Sequence, residues 1–89
     1  MTSWKIKKEN AFKKQYKNIG HNRQTITDKA ILELATSLNP ADIGEYKQSS
    51  KVFSYALGKN DRLIYTLDYF HNEIILLRVC DHKSAYGKD

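Results

Sequence analysis

Side chains that can bind an anion and move a proton are concentrated in residues 61–86 of this chain. Arg62 stands near the start of an alternating segment, and His82 follows a nearly continuous apolar segment, with Lys83 and Tyr86 close behind. Arginine presents a planar set of donors that matches phosphate oxygens. Histidine has an unperturbed pKa of about 6.5, near working pH. These residues are therefore the first candidates for a functional site.

Two predicted strands position these side chains. Residues 61–68 alternate between apolar and polar faces, which is typical of a half-buried strand. Residues 74–81 are rich in branched apolar side chains, as a central strand would be. Residues 69–73 suit a hairpin connection between the two. The second strand would then deliver His82 to its end.

The whole chain, residues 1–89, predicts one α+β domain with the element order β-α-α-β-β-β. A strand is expected at residues 3–8, a helix from Asn10, a longer helix between His21 and Leu38, and a strand at residues 52–57. The apolar stripe expected on the longer helix is Ile26, Ala30, Ile31, Leu34, Ala35 and Leu38. Asn39-Pro40 should stop that helix, and residues 41–51 are predicted to be a loop.

The last three strands are linked by short turns, so we expect an antiparallel sheet with both helices packed on one face. Alternation assigns these residues to the helix side: Phe53, Tyr55, Leu63, Tyr65, Leu67, Ile75, Leu77 and Val79. It assigns these to the opposite face: Ser54, Arg62, Thr66, Arg78 and Cys80, with His82 at its end.

The net charge of +5 is concentrated near the start, because residues 1–23 contain seven basic residues and one acidic residue. A basic surface favours a nucleic acid or an acidic protein partner, although a solvated lysine surface explains it equally well. No apolar run approaches the roughly 20 residues that span a bilayer, and no secretory signal is visible. The one cysteine, Cys80, cannot form an internal disulfide. A cytoplasmic protein is expected.

The sequence resembles the RelE/ParE superfamily, the small toxins of bacterial and archaeal toxin–antitoxin pairs. The resemblance covers nearly the whole chain and rests on the element order, on Asn39-Pro40, on RLIY at residues 62–65 and on RVCDHKSAY at residues 78–86. It implies a RelE-like fold. The RelE-like branch cleaves messenger RNA in the ribosomal A site, whereas the ParE-like branch inhibits DNA gyrase.

The ending with His82 is similar to the RelE-like branch, which implies a metal-independent endoribonuclease that uses the 2′-OH of RNA as nucleophile. Arg62 would then stabilise the phosphate, His82 would transfer a proton, and Tyr86 would position a base. Further RNA contacts are expected from Lys47, Lys59, Arg78 and Lys83. The implied partners are a cognate antitoxin, messenger RNA on the ribosome and ribosomal RNA. No cofactor, no metal and no DNA contact by the toxin alone is expected.

One departure from the family pattern leaves the general base open. The best-known RelE-type sites have two lysines on the strand before the arginine strand, and the matching positions here are Ser54 and Ala56. Some relatives use a glutamate in the preceding loop, and Glu45 is the nearest candidate. Two alternatives follow: a ParE-like gyrase inhibitor, or a RelE-fold protein with weakened catalysis that only binds its antitoxin.

Each candidate residue also has a structural interpretation. Arg62 would pair with an acid on a surface strand. His82 would be an exposed turn residue, and Tyr86 would pack the C-terminal segment against the sheet. His71, in the hairpin link, is expected to be structural or solvated.

Overall fold

Five strands, two α-helices and a short 3-10 helix form the part of the chain that the computed structural model describes, residues 4–58 and 61–81. In chain order they are β1 (Lys5–Lys8), α1 (Asn10–Asn18), α2 (His21–Thr36), the 3-10 helix Pro40–Asp42, β2 (Glu45–Lys47), β3 (Val52–Ala56), β4 (Asp61–Asp68) and β5 (Glu73–Asp81). The predicted α+β class is confirmed, and β2 is an additional strand within the predicted loop. No helix in these residues is long and apolar enough to span a membrane.

The strands form one sheet in the order β1-β5-β4-β3-β2. The last three strands pair antiparallel, as predicted, and β2 extends this arrangement by pairing antiparallel with β3. β1 pairs in parallel with β5, with Ile6 opposite Ile74, so the sheet is mixed rather than wholly antiparallel. A parallel neighbour requires a long connection between the strands, and here the two helices and three further strands provide it.

Both helices pack on one face of the sheet, as predicted. The residues buried between the two layers are Trp4, Phe12, Ala30, Leu34, Leu57, Leu63, Tyr65, Ile74, Leu76 and Val79. Phe53 and Tyr55 of β3 lie opposite Tyr65 and Leu63 of β4 and are partly buried against the same cluster. Burial of one large apolar side chain contributes about 1.5–3 kcal/mol, so this layer is the main source of stability.

The face of the sheet away from the helices is called the open face below. Cross-strand partners share a face, so the pairing register assigns its members. They include Lys5, Lys7, Glu45, Lys47, Ser54, Ala56, Arg62, Ile64, Thr66, Ile75 and Arg78.

A β-bulge interrupts the pairing of β4 with β5. Ile64 lies opposite Arg78, whereas the next residue, Tyr65, lies opposite Leu76. Leu77 therefore has no partner on β4 and is the extra residue of the bulge. The alternation of faces along β5 changes phase at this point.

The bulge overturns part of the predicted core. Ile75 and Leu77 were expected on the helix side together with Val79, but Ile74 and Leu76 are fully buried there instead. Ile75 and Leu77 are only partly buried. The segment is apolar at nearly every position, so a period of two could not reveal where one residue is inserted.

The predicted apolar stripe of α2 is also partly wrong. Ile26 is 45% exposed and Leu38 is 87% exposed. Leu38 lies beyond the helix, which ends at Thr36. Thr27 occupies the buried face instead, and its hydroxyl donates a hydrogen bond to the Arg23 carbonyl oxygen at 2.8 Å. That bond satisfies a polar group that would otherwise destabilise the core.

The buried phenol of Tyr65 ties the centre of the sheet to the segment that precedes β2. Its hydroxyl donates to the Pro40 carbonyl oxygen at 2.7 Å and accepts from the Gly44 N–H at 3.0 Å. A Cβ atom at Gly44 would lie only 2.5 Å from the phenol oxygen, so this close approach requires glycine. The two hydrogen bonds fix the path of residues 40–44 and the start of β2.

Replacing Tyr65 with phenylalanine should lower the free energy of unfolding by about 1–3 kcal/mol, because it leaves the Pro40 carbonyl and the Gly44 N–H without their partner. Urea unfolding of Tyr65→Phe against wild type measures this difference. Tyr69→Phe is the matched control, since Tyr69 is 59% exposed and its loss should cost less than about 0.5 kcal/mol. Equal losses in the two variants would contradict the anchoring role of Tyr65.

The same phenol predicts a loss of stability in alkali. Burial raises the pKa of Tyr65 to about 12 from the ordinary value of 10.0. The folded state keeps this proton where the unfolded chain has lost it, so stability falls as pH rises from about 10 to about 12. One such group gives a slope of about 1.4 kcal/mol per pH unit. Urea unfolding across this range should show a shallower slope for Tyr65→Phe, and identical slopes would refute the assignment.

Candidate functional site

Arg62 is presented to solvent by the alternation of β4. Its neighbour Leu63 is fully buried against the helices, so the Arg62 side chain lies on the open face, where it is partly buried. One of its guanidinium nitrogens, Nη1, donates to the Asp61 carbonyl oxygen at 3.0 Å. Among the side chains that the structure describes, at residues 4–58 and 61–79, no carboxylate lies within ion-pair distance of this guanidinium. The surface ion pair considered from the sequence is therefore not found with any of the carboxylates at residues 4–58 and 61–79.

The adjacent acid, Asp61, is engaged on the other side of the strand. Arg23 of α2 donates two hydrogen bonds to the Asp61 carboxylate, from Nε at 2.8 Å and from Nη2 at 2.6 Å. This bidentate geometry suits an arginine–carboxylate pair. It connects α2 to the start of β4 and neutralises the acid nearest to Arg62 along the chain.

Glu45 and Lys47 lie on β2, two strands away from Arg62, and both project onto the open face. The Lys47 ammonium is 3.4 Å from the Glu45 carboxylate, and the Glu45 side chain is 75% exposed. A pair with one partner this exposed contributes little to stability, typically 0–1 kcal/mol. The Glu45–Lys47 contact is therefore a weak support for the fold.

These side chains surround one open depression of about 410 Å³. Its lining consists of Ile43, Glu45, Lys47, Ser54, Tyr55, Ala56 and Arg62. Two cations and one carboxylate give the lining a net charge of +1. One phosphodiester group would neutralise that charge.

Ser54 and Ala56 form part of the floor of this depression rather than a source of charge. Ser54 is 6% exposed and lies opposite Glu45, and Ala56 lies opposite Arg62. A lysine at either of these two positions would therefore place its ammonium group in the depression. Neither residue carries an ammonium group. Among the described residues, Glu45 is therefore the candidate general base that lines the depression together with Arg62.

Arg78 lies on the open face of β5, where it is exposed and stands opposite Ile64. On neighbouring strands, diagonal positions are about 7–8 Å apart, which is within reach of long side chains. Arg78 and Arg62 hold such diagonal positions, because Arg62 lies opposite Cys80. The predicted grouping of Arg78 with Arg62 on one face is therefore observed.

Four of the predicted site residues, Lys59, His82, Lys83 and Tyr86, lie outside the described residues. The described part of β5 ends at Asp81, opposite Asp61 and next to the Arg62–Cys80 pair. The roles of these four residues in RNA contact, proton transfer and stacking remain predictions.

His71 has a local partner at the opposite end of β4. Its Nδ1 atom lies 2.7 Å from the Asp68 carboxylate, and the histidine side chain is 61% exposed. The hydrogen bond with His71 lowers the pKa of Asp68 from its ordinary value. The expectation that His71 is structural or solvated agrees with this geometry.

Two features of the site were missed from the sequence. Glu45 and Lys47 belong to a strand, and the polar–aromatic–polar run that they form with Tyr46 was the available signal. Gln15 of α1 was not considered, yet its side chain accepts the backbone N–H of Val79 at 2.8 Å. A bond between two segments this far apart in sequence leaves no local pattern.

The described geometry can bind a phosphate group beside a carboxylate. A guanidinium offers paired donors to two phosphate oxygens, and an ammonium adds a further donor. A carboxylate on the same surface can accept a proton from a nearby hydroxyl. This combination suits proton transfer at a phosphodiester.

Comparison with known proteins gives no matching family model and no matching curated sequence. Solved structures do match. A mutant of the Escherichia coli toxin RelE in the free state has a TM-score of 0.75 at 12% identity, over 94% of this chain and 87% of that chain. The RelE–RelB complex from Pyrococcus horikoshii OT3 contains a chain with a TM-score of 0.72 at 13% identity, over 99% of this chain and 100% of that chain.

A third match is the toxin–antitoxin complex RelBE2 from Mycobacterium tuberculosis, with a TM-score of 0.64 at 19% identity, over 91% of this chain and 100% of the matched chain. Matches of this extent show that the chain has the RelE-like toxin fold. The fold implied by the sequence resemblance is therefore confirmed.

Titration with inorganic phosphate tests the depression directly. We expect the side-chain NMR signals of Arg62 and Lys47 to shift in a saturable way, because both cations line it. The Arg23 guanidinium is the internal control, since Asp61 already occupies it. Equal shifts at Arg23 and Arg62 would indicate a general salt effect and would contradict a phosphate site at Arg62.

Proposed function

We propose that this protein is the toxin of a type II toxin–antitoxin pair and that it cleaves messenger RNA on the ribosome. The observation that supports the proposal is the shared depression on the open face, where Arg62 lies with Lys47 and Glu45. Among the side chains at residues 4–58 and 61–79, no carboxylate pairs with Arg62. The RelE-like fold supports the same choice, because the matched structures include RelE toxins and their complexes with RelB.

The proposed reaction needs only the RNA and protein side chains. The 2′ oxygen of one nucleotide attacks its own 3′ phosphorus, and the bond from that phosphorus to the 5′ oxygen of the next nucleotide breaks. The proton of the 2′-OH passes to a base on the protein, and another proton passes to the leaving 5′ oxygen. The products are a 2′,3′-cyclic phosphate and a 5′-OH.

Arg62 is proposed to bind the scissile phosphate and to stabilise the extra negative charge of the phosphorane. Preorganised donors directed at developing charge are often the largest single contribution to catalysis. Glu45 is proposed as the base for the 2′-OH, and His82 as the acid for the leaving oxygen. Tyr86 is proposed to stack on an unpaired base, the usual way in which single-stranded RNA is recognised. Lys47, Lys59 and Lys83 would add phosphate contacts.

Dependence on the ribosome follows from what the depression lacks. Ser54 and Ala56 provide no ammonium group, and Glu45 is largely exposed, so the protein alone holds the reacting groups loosely. A ribosome that holds the message in line for attack would supply the missing alignment. Cleavage of free RNA should therefore be slow.

A small antitoxin is the proposed physiological partner, lying along the sheet and helices or covering the open face. The net charge of +5 favours an acidic partner.

Changing Arg62 to alanine should reduce cleavage of messages on programmed ribosomes by about 10²–10³-fold, the usual effect of removing one transition-state donor. Lys29→Ala is the matched control, because it removes one exposed positive charge from α2 on the other side of the sheet. The control should cleave like wild type. Transcript ends are mapped in cells after induced expression. Purified protein is also assayed for cleavage of free RNA and of messages on programmed ribosomes.

The same experiment discriminates the alternatives. Supercoiling defects without cuts in translated messages would favour a gyrase inhibitor. Normal growth without either effect would favour a fold that only binds its antitoxin. Full activity of Arg62→Ala, or efficient cleavage of free RNA by wild type, would contradict the proposed mechanism.

A further inference from the structure

The bulge at Leu77 decides which side chains of β5 reach the open face. Before the bulge, Ile74 and Leu76 face the helices and are fully buried. An uninterrupted strand would continue this alternation and direct residue 78 into the same buried layer. The extra residue reverses the phase, so Val79 enters the core and Arg78 reaches the open face.

This change of phase is enforced by charge and by volume. Without it, an arginine would have to enter the apolar layer between the sheet and the helices, and a valine would be left on the surface. An unpaired charge in such a layer is strongly unfavourable. The sequence of β5 is therefore compatible with the core only if one residue is skipped.

The bulge lies where the neighbour of β5 changes from a strand to a helix. β1 pairs with β5 as far as Lys8 opposite Leu76, and the Glu9 N–H still donates to the Leu76 carbonyl oxygen at 3.0 Å. Beyond this point α1 lies beside β5, and backbone groups of β5 on that edge lose their strand partner. The Gln15 side chain replaces it, since Oε1 accepts the Val79 N–H at 2.8 Å.

The open face gains a second guanidinium as a result. Arg78 stands diagonally across from Arg62 on the adjacent strand. At a separation of about 7–8 Å between the two backbone positions, both side chains can reach one phosphate or two neighbouring ones. Bulges are commonly found beside functional sites, where they redirect a side chain.

We propose that Gln15 is a positioning residue for the site on the opposite side of the sheet. By accepting the Val79 N–H it holds the bulge at Leu77, and the bulge presents Arg78 as a second phosphate-binding residue next to Arg62. The role of Arg78 rests on the proposed function, because its ligand would be the RNA backbone. The role of Gln15 in holding the bulge can be measured without RNA.

The first measurement is hydrogen exchange of the Val79 amide by NMR. Gln15→Met keeps the length of the side chain but removes the acceptor, and we expect Val79 exchange to become about tenfold faster. Gln15→Glu keeps an acceptor at the same place and should restore slow exchange. Unchanged exchange in Gln15→Met would overturn the role of Gln15.

The second measurement is binding of a 2′-O-methyl oligoribonucleotide, which has no 2′-OH and is therefore not cleaved, over a series of salt concentrations. Loss of one phosphate contact reduces the slope of log affinity against log salt by about 0.7 for a single strand. We expect this reduction in Gln15→Met and in Arg78→Gln. The double variant should show no reduction beyond that of Arg78→Gln, since both changes act through one side chain.

The outcomes separate the two claims. Additive losses in the double variant, or weaker binding by Gln15→Met with an unchanged salt slope, would indicate general destabilisation and would overturn the positioning role. If wild type does not bind the oligonucleotide, the phosphate role of Arg78 fails, whereas the proposed function is decided separately by cleavage on programmed ribosomes. The Val79 exchange rates would then still decide whether Gln15 holds the bulge.

Discussion

The two hydrogen bonds of the Tyr65 phenol are the interaction on which the placement of the candidate site most depends. The side chain is fully buried at the centre of β4 and stacks on Phe53 with ring centroids 5.3 Å apart. From there it holds the Pro40 carbonyl oxygen and the Gly44 N–H, which belong to the segment leading into β2. A core residue on the helix side thus determines where Glu45 stands on the opposite side of the sheet.

The two faces of the sheet therefore have different roles. The helix side contains the apolar cluster, and its stability allows the open face to carry groups that contribute little to folding. The Glu45–Lys47 pair is an example, because its exposure makes it weak. Arg62 is another, since the nearest acid in sequence, Asp61, is bound by Arg23 from the helix layer. These charged groups lie on the face that is proposed to bind a ligand.

Much of the fold could be predicted from the sequence because its signals are local. Alternation located β3 and β4, helical spacing located both helices, and Ser54, Arg62 and Arg78 were assigned to the correct face. The errors arose where a contact distant in sequence decides the outcome. Ile26 and Leu38 fit a helical stripe, but the helix layer buries Thr27 and ends before Leu38.

The site was less predictable than the fold for the same reason. The bulge depends on where β1 gives way to α1 and on the bond between Gln15 and Val79, and neither is visible in a continuous apolar segment. The three-residue strand β2 forms because β3 pairs with it and because Tyr65 fixes the residues before it, although its own sequence is short and polar. Glu45 could be named as a candidate, but its position relative to Arg62 required the structure.

The measurement that tests the central claim most directly is the chemistry of the cut ends. A message is placed on programmed ribosomes with either ribose or 2′-deoxyribose at the nucleotide before the cut, and the products are identified by mass spectrometry. Attack by the 2′ oxygen on a phosphate held by Arg62 predicts a 2′,3′-cyclic phosphate and a 5′-OH from the ribose message, and no cut in the 2′-deoxy message. A 3′-OH with a 5′-phosphate, or cleavage of the 2′-deoxy message at the same place, would contradict it.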